Sequence, residues 1–366
     1  MQVSGKAKGI RAGNMRILSV TTMRNEGPYI LEWLAHHIGA GVSDFLVYSN
    51  DCEDGTDEML ALLDRAGILT HVPQVLKPGK SIQWQALQAA WKHDVRKDVD
   101  WVLVSDVDEF LNIHVGNHGI ADLLDAVPEK TDAVVIPWRL FGHNGRRSFD
   151  DEPVTQQFTA SIPGDALYPP AASFFKTLFR AKGPFNQLGV HRPKQKPPEK
   201  AGLPVMVDGS GDRLPWEFAA TPQRISLYDI SNGRSLVEMN HYAIRSAAAF
   251  LIKRARGLPN RSGKKVDLSY WVERNFNTEE NTSIHVMSDA TQGALDRLRA
   301  VPGVAELHDR AVQWHKNKFE ELVLDPDEHM LLARMLIAGS SEIPPRDMER
   351  QLVHWYQLAN GLPGIL

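Results

Sequence analysis

Residues 15–50, MRILSVTTMRNEGPYILEWLAHHIGAGVSDFLVYSN, change pattern twice. MRILSVTTM (15–23) is a continuous apolar, β-rich run of the kind expected of a buried strand. Pro28 then suits a first helical turn, and Ile30, Leu31, Leu34 and Ile38 recur at helical spacing until Gly39 and Gly41 stop the helix. SDFLVYSN (43–50) is a second strand. The alternation continues downstream. Thr56 or Asp57 caps a helix that Gly67 ends, ILTHVPQV (68–75) is a third strand, a helix capped by Ser81 covers 81–95, and DWVLVSDVDEF (100–110) is a fourth strand. Strands alternating with helices make a doubly wound α/β sheet, and such sheets bind ligands at the carboxyl ends of their strands. Thr21 to Glu26, Ser49 to Asp54 and Ser105 to Glu109 hold those positions.

Beyond this block, AVVIPWRLFGHNG (133–145) is a strand and turn. Residues 150–235 are irregular, with strands at 173–181 and 224–231, and a further strand follows at 234–242. A short helix over 246–257 has Ser246 as cap and a basic C-terminal end that suits the helix dipole. From about 265 the chain is helical and Trp-rich, and Pro344 and Pro345 interrupt it. For Trp271, Trp314 and Trp355 packing is the preferred reading, with dimerisation or membrane-surface docking left open.

The 366 residues are 43% hydrophobic and 23% charged, which is enough for a sizeable core. A net charge of −4 gives no overall basic field for nucleic acid. One cysteine, Cys52, rules out an intrachain disulfide and a thiolate-rich metal site, and predicts a reducing, cytoplasmic location. Residues 1–16 are basic but lack the apolar core of a signal peptide. No stretch reaches the roughly 20 apolar residues of a membrane helix, which leaves only peripheral membrane contact open. Asn260-Arg-Ser262 and Asn281-Thr-Ser283 fit the glycosylation pattern by chance on this reading.

Asp106 and Asp108 flank Val107 at the end of an apolar run. On a strand they would share a face, and like charges so close raise each other's pKa. A divalent cation removes that penalty, and oxygen ligands suit Mg²⁺ or Mn²⁺. The plainer alternative is a solvated turn. Glu109 points with Val107, so its expected use is a salt bridge beneath the site.

Together, TTMRNEGPYILEWLAHHIGAGVSDFLVYSNDCEDGT (21–56), SDVDEF (105–110) and WRLFGHNG (138–145) resemble glycosyltransferases of the family 2 type, in particular the bacterial branch related to glycosyltransferase family 92. The resemblance covers roughly residues 15–255. It implies a GT-A fold, a mixed α/β sheet flanked by helices, with a nucleotide-sugar donor and Mn²⁺ or Mg²⁺ held through Asp-Xaa-Asp. In that scheme Asp108 is the direct metal ligand, and Asp106 is a ribose or outer-sphere partner at the same ion. His241, in NHY, is the third ligand, and imidazole suits Mn²⁺ better than Mg²⁺. Thr21, Arg24, Asn25, Glu26, Asn50, Asp51 and Asp54 hold the nucleoside, although Asp51 and Asp54 also read as turn residues. Lys80 and Gln83 face the donor, while Trp84 and Trp91 read as core. Arg245 and Lys253 can screen the pyrophosphate, whereas Arg256 reads better as part of a solvated helix face. His191 stays open between metal, acceptor contact and structure.

Family 2-type enzymes generally invert the anomeric centre, which needs a carboxylate base. FDDEP offers Glu152, Asp151 and Asp150, in that order of preference, and all three also read as loop solvation. Trp138 and Phe141 would stack on a sugar or simply pack. The implied organisation is a flexible tail (1–14), a GT-A domain (15–260) with a nucleotide-binding half (15–112) and an acceptor and metal half (113–260), and a helical region (261–366). The implied activity is transfer of a hexose from a UDP-sugar to a glycan, glycolipid or polysaccharide, with inversion. A metal-dependent nucleotidyltransferase and a non-catalytic sugar-binding protein are the rivals.

Overall fold

Four parallel strands form one half of the central sheet: β1 (Ile17–Met23), β2 (Asp44–Ser49), β3 (Thr70–Pro73) and β4 (Trp101–Val104), in the order β3-β2-β1-β4. Helices α1 (Ile30–Gly39), α2 (Thr56–Arg65) and α3 (Ile82–Lys92) make the crossovers. The computed structural model describes residues 15–77, 79, 81–220, 233–257 and 266–361. The 1–14 tail, Lys80, the strand expected at 224–231 and the boundary expected at 260/261 lie outside the described residues.

The second half of the sheet comprises β5 (Glu109–Ile113), β6 (Ala133–Leu140), β7 (Phe175–Arg180), β8 (Met206–Val207) and β9 (Val237–His241). The order becomes β3-β2-β1-β4-β7-β6-β9-β5, with β8 added beside β6. Strand β7 is antiparallel to both β4 and β6, so β6 runs in the same direction as β4. Strand β9 is parallel to β6. The carboxyl ends of β1, β2, β4, β6 and β9 therefore meet on one edge of the sheet. β1 lies between β2 and β4, so the chain reverses its direction of winding there, and a crevice opens at such a point. The architecture is the expected mixed α/β sheet flanked by helices, with a helical C-terminal region.

Alternating residues of β1 supply both layers of the core. Leu18 and Val20 pack toward Ala86, Leu87 and Ala90 of α3, while Ile17 joins the cluster that contains Ile30, Trp33 and Leu34 of α1. The latter three are fully buried, and burying each side chain contributes about 1.5–3 kcal/mol. Helix α4 (Ala247–Arg256) follows β9, with the Ser246 hydroxyl accepting from the Ala249 amide as expected. The chain continues through α5 (Leu268–Val272), α6 (Ser288–Arg299), α7 (Val304–Leu322), α8 (Pro326–Ala338) and α9 (Arg346–Ala359). Leu295 and Leu298 of α6 and Val304 and Val312 of α7 belong to the same apolar cluster as α1, so these helices share the core of the sheet. Trp271 is fully buried beside Phe250 and Met335, but Trp355 is 51% exposed and does not pack as expected. Among the described residues no helix is long and apolar enough to cross a membrane.

Three local expectations need correction. Residues 100–110 are not one strand: the chain leaves β4 after Val104 and begins β5 at Glu109. β4 sits mid-sheet and β5 at the far end, so Ser105 to Asp108 must form the crossing turn. Strand alternation therefore does not order Asp106 and Asp108. Helix α2 is capped by Gly55 at φ +89°, and Thr56 is already helical. The Asp54 carboxylate accepts the Thr56 amide at 2.9 Å. Helix α3 ends at Lys92 because His93 is extended.

Candidate active site

A cavity of 480 Å³ opens where these strand ends meet. Thr22 to Arg24 and Glu26 line it from β1, Asn50 and Asp51 from β2, and Gln83 from α3. The Asp106-Val107-Asp108 turn, Trp138 of β6, His241 of β9, and Lys253 and Arg256 of α4 complete the inner walls. Tyr270, Glu273 and Arg274 at the end of α5, and Tyr356 of α9, close the outer side. The volume is in the range of small-molecule sites.

On the nucleotide side the strand alternation shifts one expected residue. Thr21 is buried and does not line the cavity; its neighbour Thr22 does. Asn25 is also turned away, at φ +50°, and its side-chain oxygen accepts the Glu53 amide at 2.8 Å. Its work is to hold the β2–α2 loop in place. Asp51 stands at φ +46°, a left-handed position that Asp tolerates better than most residues. Arg24 donates to the Asp51 carbonyl at 3.2 Å and the Arg256 carbonyl at 3.3 Å, and Arg256 donates back to the Arg24 carbonyl at 2.8 Å. Arg256 also pairs with Glu26 and lines the cavity, so it is not on a solvated helix face. Asp54 is structural: fully buried, it holds the Gly27 and Thr56 amides and His315 of α7.

The carboxylate turn is set in a built cradle. One oxygen of Asp106 accepts from the Gln83 amide at 3.1 Å, and the other from Lys176 at 2.9 Å. Lys176, wholly buried on β7, also meets Glu109 at 3.1 Å. Glu109 also accepts the Asp106 amide at 2.8 Å, and its contact with Lys176 is the salt bridge expected beneath the site. Burial opposes the Lys176 charge, but Asp106 and Glu109 raise its pKa. Burial pushes Glu109 well above the usual carboxylate range, against the pull of Lys176. Arg245, held at φ +52°, reaches from below to Glu26 at 3.2 Å and the Val107 carbonyl at 3.3 Å, and stacks on Tyr29. It braces the turn rather than facing the cavity.

Asp108 accepts from Lys253 at 2.7 Å, and its other oxygen stands 3.6 Å from Nε2 of His241. Burial works against the Asp108 charge, but Lys253, then His241 and Arg245, hold its pKa well below the ordinary value. Burial lowers the His241 pKa against the pull of Asp108, which favours a neutral imidazole able to ligate. The ring is held by Trp138, centroid to centroid 4.0 Å. One carboxylate oxygen and one neutral imidazole suit a divalent ion that takes its other ligands from phosphate and water. Asp108 and His241 fit that role. Each Asp106 oxygen carries one donor, from Gln83 and from Lys176. Among the described residues no three ligating side chains converge on one point.

The expected base segment is not brought to the cavity. Asp150 and Glu152 each lie 3.5 Å from Arg146, and Asp151 meets His308 of α7 at 3.0 Å. The His308 hydrogen bond lowers the Asp151 pKa. Phe149 packs on Tyr29 and His315, which turns this loop toward α7. Phe141 is buried against Tyr242 and so packs, while Trp138 does line the cavity. His191 lines it too, its Nδ1 bonded to the Phe175 carbonyl at 2.9 Å. Sequence reasoning missed Lys176, Tyr270, Glu273, Arg274 and Tyr356. A lysine inside the apolar run SFFKTLFRA was a usable signal, since lysine is almost never fully buried unless paired. The other four carried none.

Residues 17–206 match the profile of glycosyltransferase family 92. The chain belongs to glycosyltransferase family 92. That part of the resemblance stands, and the matched span lies within the 15–255 expected. A family 92 protein of Oryza sativa subsp. japonica is 28% identical over 147 residues, 39% of this chain and 24% of that one. Another from Ricinus communis is 29% identical over 164 residues, 42% of this chain and 28% of that one. The chain thus spans about a quarter of the length of these relatives in the alignments. Among solved structures, S. aureus TarS 1-349 in complex with UDP aligns with 84% of this chain and 90% of its own at 12% identity and a TM-score of 0.31. A likeness that remote carries nothing about the site.

Proposed function

We propose that this family 92 chain transfers a hexosyl group from a UDP-sugar to a hydroxyl of a glycan, glycolipid or polysaccharide, with inversion, using a divalent ion held by Asp108 and His241. The observation that carries the reading is the meeting of Asp108 and His241, 3.6 Å apart, in a cavity bordered by Arg24, Lys253 and Arg256. Family membership supports the transfer of a sugar. When bound there, a divalent ion would act as a Lewis acid on the departing diphosphate. The residues of the chain do the rest. Arg24 and Arg256, cross-linked through each other's carbonyls, set a cationic rim for the phosphates. Asn50, Asp51 and Gln83 offer hydrogen-bonding groups toward the nucleoside. Gln83 presents a buried side-chain oxygen with no partner among the described residues, an acceptor suited to a ribose hydroxyl or a base N–H.

The test is a panel of nucleotide-hexoses with Mn²⁺, read as released nucleotide. Mn²⁺-dependent release of UDP is expected, and its loss in Asp108→Asn. Release of pyrophosphate would assign the site to nucleotidyl transfer instead, and absence of turnover with every donor would assign it to binding alone. NMR assignment of the product anomer decides the stereochemistry: retention of the donor configuration would rule out inversion.

A further inference from the structure

Inversion needs a carboxylate on the acceptor side, and the segment expected to supply it points elsewhere. We propose that Glu273, at the end of α5, takes the proton from the acceptor hydroxyl, and that the acceptor sugar lies between Tyr270 and Trp138. The proposal rests on the transferase reading and adds the residue and subsite that reading lacks.

Five carboxylates line the cavity among the described residues. Glu26 is held by Arg245 and Arg256, Asp106 by Lys176 and Gln83, and Asp108 by Lys253. Asp51 belongs to the β2 end, on the nucleotide flank. Glu273 differs from the three that cations hold, and from Asp51, which is likewise exposed with one oxygen on the Asn50 amide at 3.0 Å, in standing on the α5 side of the cavity. Its side chain is 47% exposed, and among the described residues the polar contact it makes is one oxygen to Arg274 at 3.2 Å. The second oxygen is left for a ligand, and solvent can carry a proton away.

α5 stands beside the reacting end of the cavity. The Tyr270 ring lies 5.4 Å from the Lys253 ammonium, which is itself bonded to Asp108. Arg274 and His241 both line the cavity. Arg274 also stacks on Tyr270 at 3.7 Å, which fixes the ring. Trp138 also lines the cavity; its ring packs on His241, Phe174 and His191, and its indole N–H has no acceptor among the described residues. An aromatic face with a spare donor is suited to a sugar ring and its hydroxyls.

The step balances without a further reactant. The acceptor oxygen attacks the anomeric carbon as its proton passes to the Glu273 carboxylate. The bond from the anomeric carbon to the diphosphate breaks, its electron pair leaving with the UDP, and Glu273 then releases the proton to water.

The experiment compares wild type, Glu273→Gln and Glu273→Asp with the active UDP-hexose, Mn²⁺ and a panel of p-nitrophenyl hexosides as acceptors. Thermal shifts with UDP and Mn²⁺ report the donor half separately. Glu273→Gln is expected to lower kcat by about 10²-fold or more, the scale of general base catalysis, with KM for both substrates within about threefold and the UDP shift unchanged. Glu273→Asp should regain about tenfold over Gln, keeping the carboxylate at a poorer reach. A kcat within threefold of wild type in Glu273→Gln would overturn the proposal. So would an aspartate variant no better than glutamine, or a glutamine variant that also loses the UDP shift. Absence of UDP binding by the wild-type protein would instead overturn the transferase reading, and this inference with it.

Discussion

Replacing Lys176 with methionine tests the cradle under the carboxylate turn. The ammonium is fully buried and touches Asp106 at 2.9 Å and Glu109 at 3.1 Å. Breaking a buried ion pair by removing one partner costs about 3–5 kcal/mol, because the other charge is left in a poor solvent. The low end applies here. Asp106 is one-third exposed and can take water, and Glu109 can escape by protonation, which its burial already favours. Lys176→Met should therefore lose about 3 kcal/mol in urea unfolding near neutral pH. The deficit has a sign in pH. With the cation gone, the folded pKa of Glu109 rises further above its unfolded value. Stability contributed by such a group is present below the unfolded pKa and lost as pH rises through the folded one. The variant should thus fall further behind wild type as pH rises above the folded pKa that Glu109 has in the wild type. Adding Glu109→Gln removes the stranded acid and should shrink the deficit to about 1.5 kcal/mol or less. A single variant within 1 kcal/mol of wild type, or a double variant no more stable than the single, would refute the reasoning.

Two further perturbations probe the scaffold. Burial lowers His36 to about 4 and His37 to about 3, from 6.5, so the fold binds these protons less readily than the unfolded chain. Stability should be lost as pH falls below 6.5, and His37→Gln should flatten the urea-unfolding slope between pH 6.5 and 4 by about 1.4 kcal/mol per pH unit; an unchanged slope would show that His37 is already charged in the fold. A methyl on Gly27 would collide with Ala311 of α7 and lie 3.1 Å from an Asp54 oxygen. Gly27→Ala should cost about 1–3 kcal/mol by overpacking, measured by chemical denaturation, with recovery in Gly27→Ala/Ala311→Gly; loss without recovery would show that α7 does not press on this loop.

The parallel half of the sheet was legible because each of its elements carries a complete local signature. Leu18 and Val20 belong to an unbroken apolar run, and Ile30, Leu34 and Ile38 keep helical spacing. The break after Val104 was not legible, since WVLVSDVDEFLNI is apolar on both sides of its acids and β4 and β5 are neighbours in sequence only. Asp108, His241 and Lys253 were readable from the resemblance, and the fold brings them to one cavity. Glu152 does not line the cavity, and the sequence could not show it: proximity to WRLFGHNG says nothing about whether a loop turns toward the crevice or toward α7. Glu273 follows a short helix with no motif, and the packing of Trp271 in that helix shows only in the fold.

The cross-linked arginines and the α4 cations have a consequence for how charge is apportioned along the chain. Up to residue 206, where the family match ends, the cavity wall holds Glu26, Asp51, Asp106 and Asp108 against Arg24. That portion alone presents an anionic bowl, which would turn a diphosphate away. Lys253, Arg256 and Arg274, with Glu273 among them, arrive from later in the chain and nearly offset the excess of acids. The charge of the cavity wall is thus a joint property of two stretches: the one that carries the recognisable motif brings most of the acids, and the later one most of the cations.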